Sequence, residues 1–170
     1  MFYESVESRG LEHTLQIQVI QEMEAENIRE LLLSFPEVTE ETPFDANTVV
    51  YKTAGKMFAL TNWSNHPLHF NLKCDPQKAE LLRDQYSCVV PGYHMNKKHW
   101  NTVTVDGSVE DSILQSWIID SFLCVVRGMP EKHQTRLLQQ WEVQQNSKVS
   151  FVDQVSEKDD TLRNTLKSQI

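Results

Sequence analysis

One stretch of twelve residues, Pro91–Thr102, holds most of the side chains in this sequence that could do chemistry. Two imidazoles, two ammonium groups, two amides and two aromatic rings are crowded there: Tyr93, His94, Asn96, Lys97, Lys98, His99, Trp100 and Asn101. No acidic residue occurs across the window Gln85–Val105. Lysines bind phosphates as point charges, amides bond base edges or backbone, and aromatic rings stack on bases. The mixture therefore suits a phosphate-rich ligand such as a nucleic acid.

The same residues permit two other interpretations. Tyr93 and Trp100 could serve only to pack this loop onto a sheet. The two histidines, together with Asp106, also hold the groups needed for general acid–base catalysis. However, the sequence contains no GxSxG elbow, no phosphate-binding loop, no dinucleotide fingerprint and no HExxH pair. We therefore expect a binding protein rather than an enzyme.

Metal and cofactor binding are not expected. His66 and His69 are three residues apart at the start of a predicted strand, where only residues two apart share a face. The three cysteines, Cys74, Cys88 and Cys124, form no CxxC pair and fit a reducing compartment. The chain has no apolar run of 18 residues and no N-terminal signal-peptide pattern. These features predict a cytoplasmic protein with no membrane contact.

The charge is divided unevenly along the chain. The net charge of −8 argues against a general binder of nucleic acids. Residues 1–45 carry a net of −9 and residues 106–170 a net of −3, whereas residues 46–105 carry a net of +4. The middle of the chain is thus the only basic part. Whether its lysines share one surface or are scattered and solvated stays open at this point.

Helical periodicity and turn residues predict the elements around this basic region. Ile28, Leu31 and Leu32 follow a helical spacing that Pro36 ends. The following segment, 37–45, is predicted to be a polar loop. Residues 47–53 and 56–63 are rich in β-branched and aromatic side chains, and Ala54–Gly55 between them predicts a hairpin turn. Residues 68–73 form a third predicted strand.

Asp75, followed by a proline, predicts the N-terminus of a short helix. Residues 85–99 are predicted to be irregular, and 100–105 to be a strand. Ser108–Asp111 resembles a capping box before a longer helix that ends near Gly128. That helix is predicted to bury a stripe at helical spacing: Ile113, Leu114, Trp117, Ile118, Ser121, Phe122 and Val125. A last helix is predicted through Leu137, Leu138 and Trp141.

The resulting order, α-β-β-β-α-β-α-α, groups the strands between helices and does not alternate them. This order predicts an α+β fold, a single compact domain in which helices pack against an antiparallel sheet. At 170 residues with 39% hydrophobic residues, the chain can bury a core of this kind. The predicted boundaries are 1–22 for an N-terminal extension, 23–144 for the domain, and 145–170 for a polar tail or peripheral helix.

Five segments of the sequence resemble the MmcQ/YjbR family, over roughly residues 23–140. They are Pro43–Phe44, Lys56–Ala59, Asn71–Cys74, Pro91–Thr102 and Asp106–Ser108. The resemblance implies a CyaY-like α+β fold and a DNA-binding role, in which a double-wing shape sets a sheet face and hairpin loops against the duplex. It implies no catalytic activity.

With this resemblance, DNA is the expected partner. The predicted phosphate contacts are Lys52, Lys56, Lys73, Lys97 and Lys98. His94, Asn96 and His99 are predicted polar contacts, and Tyr93 or Trp100 is predicted to stack on a base or wedge between bases. One alternative is a module that binds a protein or a small ligand, with the acidic ends as its surface. A further alternative is an enzyme that uses His94 or His99 in a pocket under the loop.

Overall fold

The computed structural model describes residues 25–147, which form two compact units that divide after Gly128. The first unit contains a six-stranded sheet and three helices, and the second contains a helix over residues 131–147. The predicted extension, 1–22, and most of the predicted tail, 145–170, lie outside the described residues. The domain boundaries proposed from the sequence therefore stay a prediction.

All neighbouring strands of the sheet run antiparallel, in the order β1-β2-β3-β4-β6-β5. The predicted α+β class with an antiparallel sheet is thereby confirmed. The strands are β1 (Val38–Glu41), β2 (Thr48–Thr53), β3 (Lys56–Asn62), β4 (Leu68–Lys73), β5 (Val89–Pro91) and β6 (Trp100–Val105).

The helices of the first unit are α1 over residues 25–33, α2 (Pro76–Gln85) and α3 (Asp111–Arg127), and α4 over 131–147 makes up the second. Asp75 caps α2 as predicted, because its side chain accepts hydrogen bonds from the backbone N–H groups of Gln77 and Lys78. None of the helices in the described region is long and apolar enough to span a membrane.

Two strands, β1 and β5, lie where the sequence predicted loop. Strand β1 pairs with β2 from Val38↔Thr53 to Glu41↔Val50 but has no buried residue. Strand β5 has only three residues and ends in a proline. Both are edge strands that gain their hydrogen bonds from a neighbour, so neither needs the hydrophobic alternation by which a strand is recognised in a sequence.

The predicted capping box at the start of α3 does not form. The backbone N–H of Ser108 donates to Asp106 Oδ1 at 3.0 Å, which holds Ser108 in a turn ahead of the helix. The N-cap residue is instead Glu110, without a capping bond from its side chain. The stripe of α3 is buried as predicted except for Ile113, which is half-buried.

Three phenylalanines join α3, the segment after α1 and the sheet. The ring of Phe35 stacks on that of Phe122 with centroids 4.5 Å apart, and both rings lie nearly perpendicular to that of Phe58. All three are buried, and each burial contributes about 1.5–3 kcal/mol of transfer free energy. This contact fixes α3 against β3 and sets the position of its remaining side chains.

One of those side chains, Ser121, completes the sheet. Strand β3 carries an irregularity near Phe58, where its register against β2 shifts, and the pairing of β3 with β4 begins only at Ala59↔Leu72. The Ser121 hydroxyl donates to Phe58 O at 2.5 Å and accepts from the backbone N–H of Lys73 at 2.7 Å. The fully buried Ser121 hydroxyl thus bridges β3 and β4 at the point where their direct backbone hydrogen bonding stops.

The outer side of β5 offers little for another strand to pair with. Gly92 N–H bonds to Trp100 O and Thr104 N–H to Cys88 O, so the alternation of an antiparallel pair turns the backbone of Val89 and Pro91 outward. Val89 N–H is already bonded to Tyr86 O at 3.0 Å. Pro91 has no N–H to donate.

Candidate nucleic-acid interface

The sheet topology brings the five predicted phosphate-binding lysines to one end of the sheet. Strand β2 ends and β3 begins at the turn Ala54–Gly55, strand β4 ends there, and Trp100 at the start of β6 pairs with Lys73. The loop 92–99, which leads into β6, therefore projects from the same end. We call this surface the lysine end; it carries Lys52, Lys56, Lys73, Lys97 and Lys98.

The five lysines differ in how free their charges are. Lys52 Nζ lies 2.5 Å from Glu41 Oε2, and this contact with the ammonium group is the main reason why the pKa of Glu41 is lowered. Lys73 Nζ lies 5.5 Å from the centroid of the Trp100 ring, within cation–π distance. Lys56, Lys97 and Lys98 are exposed and pair with no acidic side chain among residues 25–147. These three can meet an external anion without first losing an internal partner.

The loop 92–99 begins with a close approach of two backbone segments. A Cβ atom at Gly92 would lie 2.8 Å from Trp100 Cβ, 2.9 Å from Trp100 O and 3.0 Å from Met95 Cβ. Gly92 N–H donates to Trp100 O at 2.8 Å. Only glycine fits this contact without displacing the start of β6.

Arg83 of α2 holds the loop from one side. Its guanidinium donates to the carbonyl oxygens of Lys97 and Trp100, the latter at 3.2 Å, and to Asn101 Oδ1 at 2.7 Å. The amide of Asn101 in turn donates to Ala79 O. One side chain therefore ties α2 to both the loop and the strand that follows it.

A second set of bonds holds the loop through the other face of the sheet. Tyr93 N–H donates to Thr102 Oγ1 at 2.9 Å, and that hydroxyl donates to Asn71 Oδ1 at 2.5 Å. Asn71 and Thr102 are both buried, and they lie opposite each other on β4 and β6. Because Asn101 and Thr102 are consecutive strand residues, their side chains lie on opposite faces. The loop is therefore anchored from both.

The predicted site residues fall into two groups by exposure. Tyr93 is 70% exposed, its ring lies 4.0 Å from that of His94, and His94 and Asn96 are exposed beside it. His99 is half-buried. Trp100 is 6% exposed, so its predicted stacking or wedging role is corrected. Its ring supports Lys73 within the fold, and the aromatic ring that a ligand can reach is Tyr93.

Acidic groups mark the opposite end of the sheet. Asp45, between β1 and β2, accepts bonds from the Thr48 hydroxyl and from the backbone N–H groups of Asn47 and Thr48. These bonds lower its pKa. Asp106, after β6, has a lowered pKa chiefly because of its contacts with Ser108. The exposed lysines thus lie at one end of the sheet, with Glu37 and Asp75 beside them, whereas Asp45 and Asp106 lie at the opposite end.

A small cleft lies between α2 and α3, next to Lys73 of the lysine end. Its walls include Cys74, Trp117 and the ion pair of Lys78 with Asp120. Burial raises the pKa of the Cys74 thiol to about 11, which keeps it protonated near neutral pH. Neither His94 nor His99 lines the cleft. Within residues 25–147, no three histidine, cysteine or acidic side chains gather into a metal site.

The family model described as YjbR matches residues 33–124, a range that contains the whole lysine end. The chain belongs to the YjbR family. It is 38% identical over 112 residues to the uncharacterized protein YbdF of Escherichia coli O157:H7, covering 66% of this chain and 92% of that one. It is also 38% identical over 88 residues to the uncharacterized protein YjbR of Escherichia coli K12, covering 52% and 75% of the two chains.

A crystal structure of Deinococcus radiodurans protein DR2400, of the domain family DUF419, shares the fold. Its TM-score is 0.62 at 37% sequence identity, over 66% of this chain and 86% of that chain. The relatives support the family and the fold, and their names assign no ligand.

Several residues that build this site were not among the predicted ones. Arg83, Asn71, Thr102 and Ser121 act through hydrogen bonds to backbone or to buried side chains. Their one signal in the sequence is polarity at positions where the period of a strand or helix predicts burial, as at Ser121. A polar residue at a position predicted to be buried indicates a hydrogen bond, but the sequence does not identify the partner of that bond.

Proposed function

We propose that this protein binds nucleic acid, DNA in the first place, through phosphate contacts at the lysine end and without catalysing a reaction. The observation that carries the proposal is the sheet topology. It collects lysines from separate strands and a loop at one end of an otherwise acidic molecule. A local basic surface on a protein of net charge −8 attracts a polyanion to that surface, although the molecule as a whole repels it.

The family resemblance supports the same surface. A double-wing arrangement requires two projections that flank a sheet. The lysine end offers the turn Ala54–Gly55, next to Lys56, and the loop 92–99, which carries Lys97 and Lys98. The strands behind them, β3 and β6, are separated only by β4, or about 10 Å at the usual strand spacing.

The binding expected from this surface is modest and depends strongly on salt. Lys56, Lys97 and Lys98 are the exposed lysines there without an acidic partner among residues 25–147, whereas the half-buried Lys73 lies over the Trp100 ring. Three phosphate contacts give a slope of log K against log salt of about −2 to −3. A protein with many more contacts would show a much steeper slope.

The proposal is tested by fluorescence anisotropy with labelled duplex and single-stranded DNA at about 50 and about 200 mM salt. The double variant Lys97→Ala, Lys98→Ala should bind more weakly and reduce the salt slope by about 2, because each lost phosphate contact removes about one. A control double variant, Lys132→Ala, Arg136→Ala, removes two charges from the second unit and should keep the wild-type slope.

Either of two results would count against the proposal. One is that the wild-type protein binds neither DNA at the lower salt concentration. The other is that the loop variant and the control variant lose affinity equally, which would make net charge, and not the lysine end, the cause of binding.

A further inference from the structure

We propose, as an extension that rests on the nucleic-acid role above, that the lysine end takes unpaired nucleotides, with one base stacked on Tyr93. The ligand class is a single-stranded segment, in preference to a closed duplex. Four features support a single-stranded ligand. The Tyr93 ring is exposed, the loop 92–99 that carries it is held by hydrogen bonds, α2 and α3 present no basic face, and few lysines are available for phosphate contacts.

The ring of Tyr93 is exposed to solvent and does not pack in the core. It is 70% exposed, although the Trp100 ring a few residues on is buried. The imidazole of His94 lies against it at 4.0 Å between centroids, tilted by 58°. The two rings form an aromatic surface open to solvent, and the face of an unpaired base can stack on such a surface whatever its sequence.

The backbone under that surface is fixed before any ligand arrives. Tyr93 N–H is bonded to the buried Thr102 hydroxyl, and Gly92 N–H is bonded to Trp100 O. Asn96 Oδ1 accepts from the Lys98 N–H at 3.0 Å, which holds the two lysines in a turn. A site ordered in advance loses little conformational entropy when a ligand binds. The stacking ring and the phosphate-binding ammonium groups thus stand on one rigid loop.

The helices next to the sheet offer no basic face to a major groove. The exposed face of α2 carries Glu80 and Asp84, and its Lys78 pairs with Asp120. The exposed positions of α3 include Asp111 and Gln115, and its single exposed cation is Arg127 in the last turn. A duplex is usually read by a helix or a β-ribbon inserted in that groove. Neither of these helices provides the positive face that such an insertion needs.

The charge available at the lysine end also matches a short ligand. Glu41 neutralises Lys52, and Lys73 lies over Trp100. The remaining lysines can contact about three phosphates, and single strands are commonly bound by a few such contacts together with stacked bases. A base stacked on Tyr93 adds binding free energy to that of these few phosphate contacts.

The experiment compares a labelled 12-nucleotide single strand with the blunt duplex that it forms with its complement, both at about 50 mM salt. The wild-type protein should bind the single strand several-fold more tightly. Tyr93→Ala should weaken binding to the single strand roughly 5- to 150-fold, the usual effect of losing one base–aromatic stack. Tyr93→Phe keeps the ring and should retain near wild-type affinity.

Phe44 supplies a matched control. It is 71% exposed, as Tyr93 is, but it lies in the loop between β1 and β2 at the opposite end of the sheet. Phe44→Ala removes an equally exposed ring and should leave the affinity unchanged. Circular dichroism of each variant establishes that the fold is intact before binding is compared.

The outcomes separate this inference from the proposed function. If Tyr93→Ala binds as tightly as wild type while Lys97→Ala, Lys98→Ala does not, the lysine end binds phosphates but stacks no base, and only this inference is overturned. Equal or tighter binding to the duplex overturns it as well. If the wild-type protein binds neither ligand, both proposals fail together.

Discussion

The loop 92–99 requires glycine at position 92, because there is no space for a Cβ atom there. Gly92→Ala places a Cβ within 3.0 Å of both Trp100 and Met95, so the loop and the start of β6 must separate. We expect the free energy of unfolding to fall by about 1–3 kcal/mol, as overpacking of a tight contact usually costs. Denaturation in urea measures the change.

Gly128→Ala is the control for this substitution. A Cβ there meets Val125 O at 3.4 Å, an ordinary contact, and the backbone angle φ of −85° suits any residue. Its unfolding free energy should stay within about 0.5 kcal/mol of wild type. Equal losses for the two alanine variants would mean that the close approach at Gly92 is not what the glycine provides.

The residues of the loop show how far a sequence can specify a site. The chemical types in Pro91–Thr102 were enough to select the segment as the candidate site, because types and local spacing are properties of sequence. They could not separate Tyr93 from Trp100. Both are aromatic and seven residues apart, and only the pairing of Trp100 with Lys73 brings the second ring inside. The contribution of Arg83 was invisible for the same reason, since its acceptors, two of them backbone carbonyls, lie 14 to 18 residues along the chain.

Among the elements, α3 packs on the sheet through apolar side chains and is also hydrogen-bonded to it through the hydroxyl of Ser121. Ser121→Ala leaves Phe58 O and Lys73 N–H without their bond inside the protein. A buried polar group without a partner costs about 1–3 kcal/mol, and two are left here. We expect a loss in unfolding free energy of at least that size, measured by chemical denaturation.

Ser116→Ala, on the same helix, removes an exposed hydroxyl that bonds only to Ile113 O. Its effect should remain within about 0.5 kcal/mol. A similar loss in both variants would show that removing any serine hydroxyl from α3 has this effect, and that the bridge between β3 and β4 does not explain the cost at Ser121.

Elements with a buried face were predictable, and elements without one were not. Periodic apolar residues or a cap residue predict each of the following elements: strands β2, β3, β4 and β6 and helices α2 and α3. Strand β1 consists of Val-Thr-Glu-Glu and exists because β2 offers it hydrogen bonds. Its formation is decided by a neighbour in space, which local sequence does not contain.

For the whole molecule, the lowered carboxyl pKa values predict where acid weakens the fold. Glu41, Asp45 and Asp106 all titrate below their ordinary values in the folded state. The folded state therefore binds fewer protons than the unfolded state at these sites. Their stabilisation is complete above the ordinary carboxyl range and is lost as the pH falls below about 4.5. Urea denaturation at pH 7, 5 and 3 should show little change in the first step and a clear loss in the second.

Asp45→Asn tests one contributor to this loss. The amide oxygen can still accept the bonds from Asn47 and Thr48, but the group no longer titrates. The drop in unfolding free energy from pH 5 to pH 3 should be smaller than in wild type. An identical drop would assign the acid sensitivity to other groups.

The outward side of β5 bears on how molecules of this protein behave when they are crowded together. An exposed strand with free N–H groups can serve as a template on which another chain extends the sheet, which is a common route to aggregation. Here Val89 has given its N–H to Tyr86, and Pro91 has none to give. This rim of the sheet has no N–H to donate to an incoming strand and offers only the outward carbonyl oxygens of Val89 and Pro91, which makes it a poor template for polymerisation along that edge.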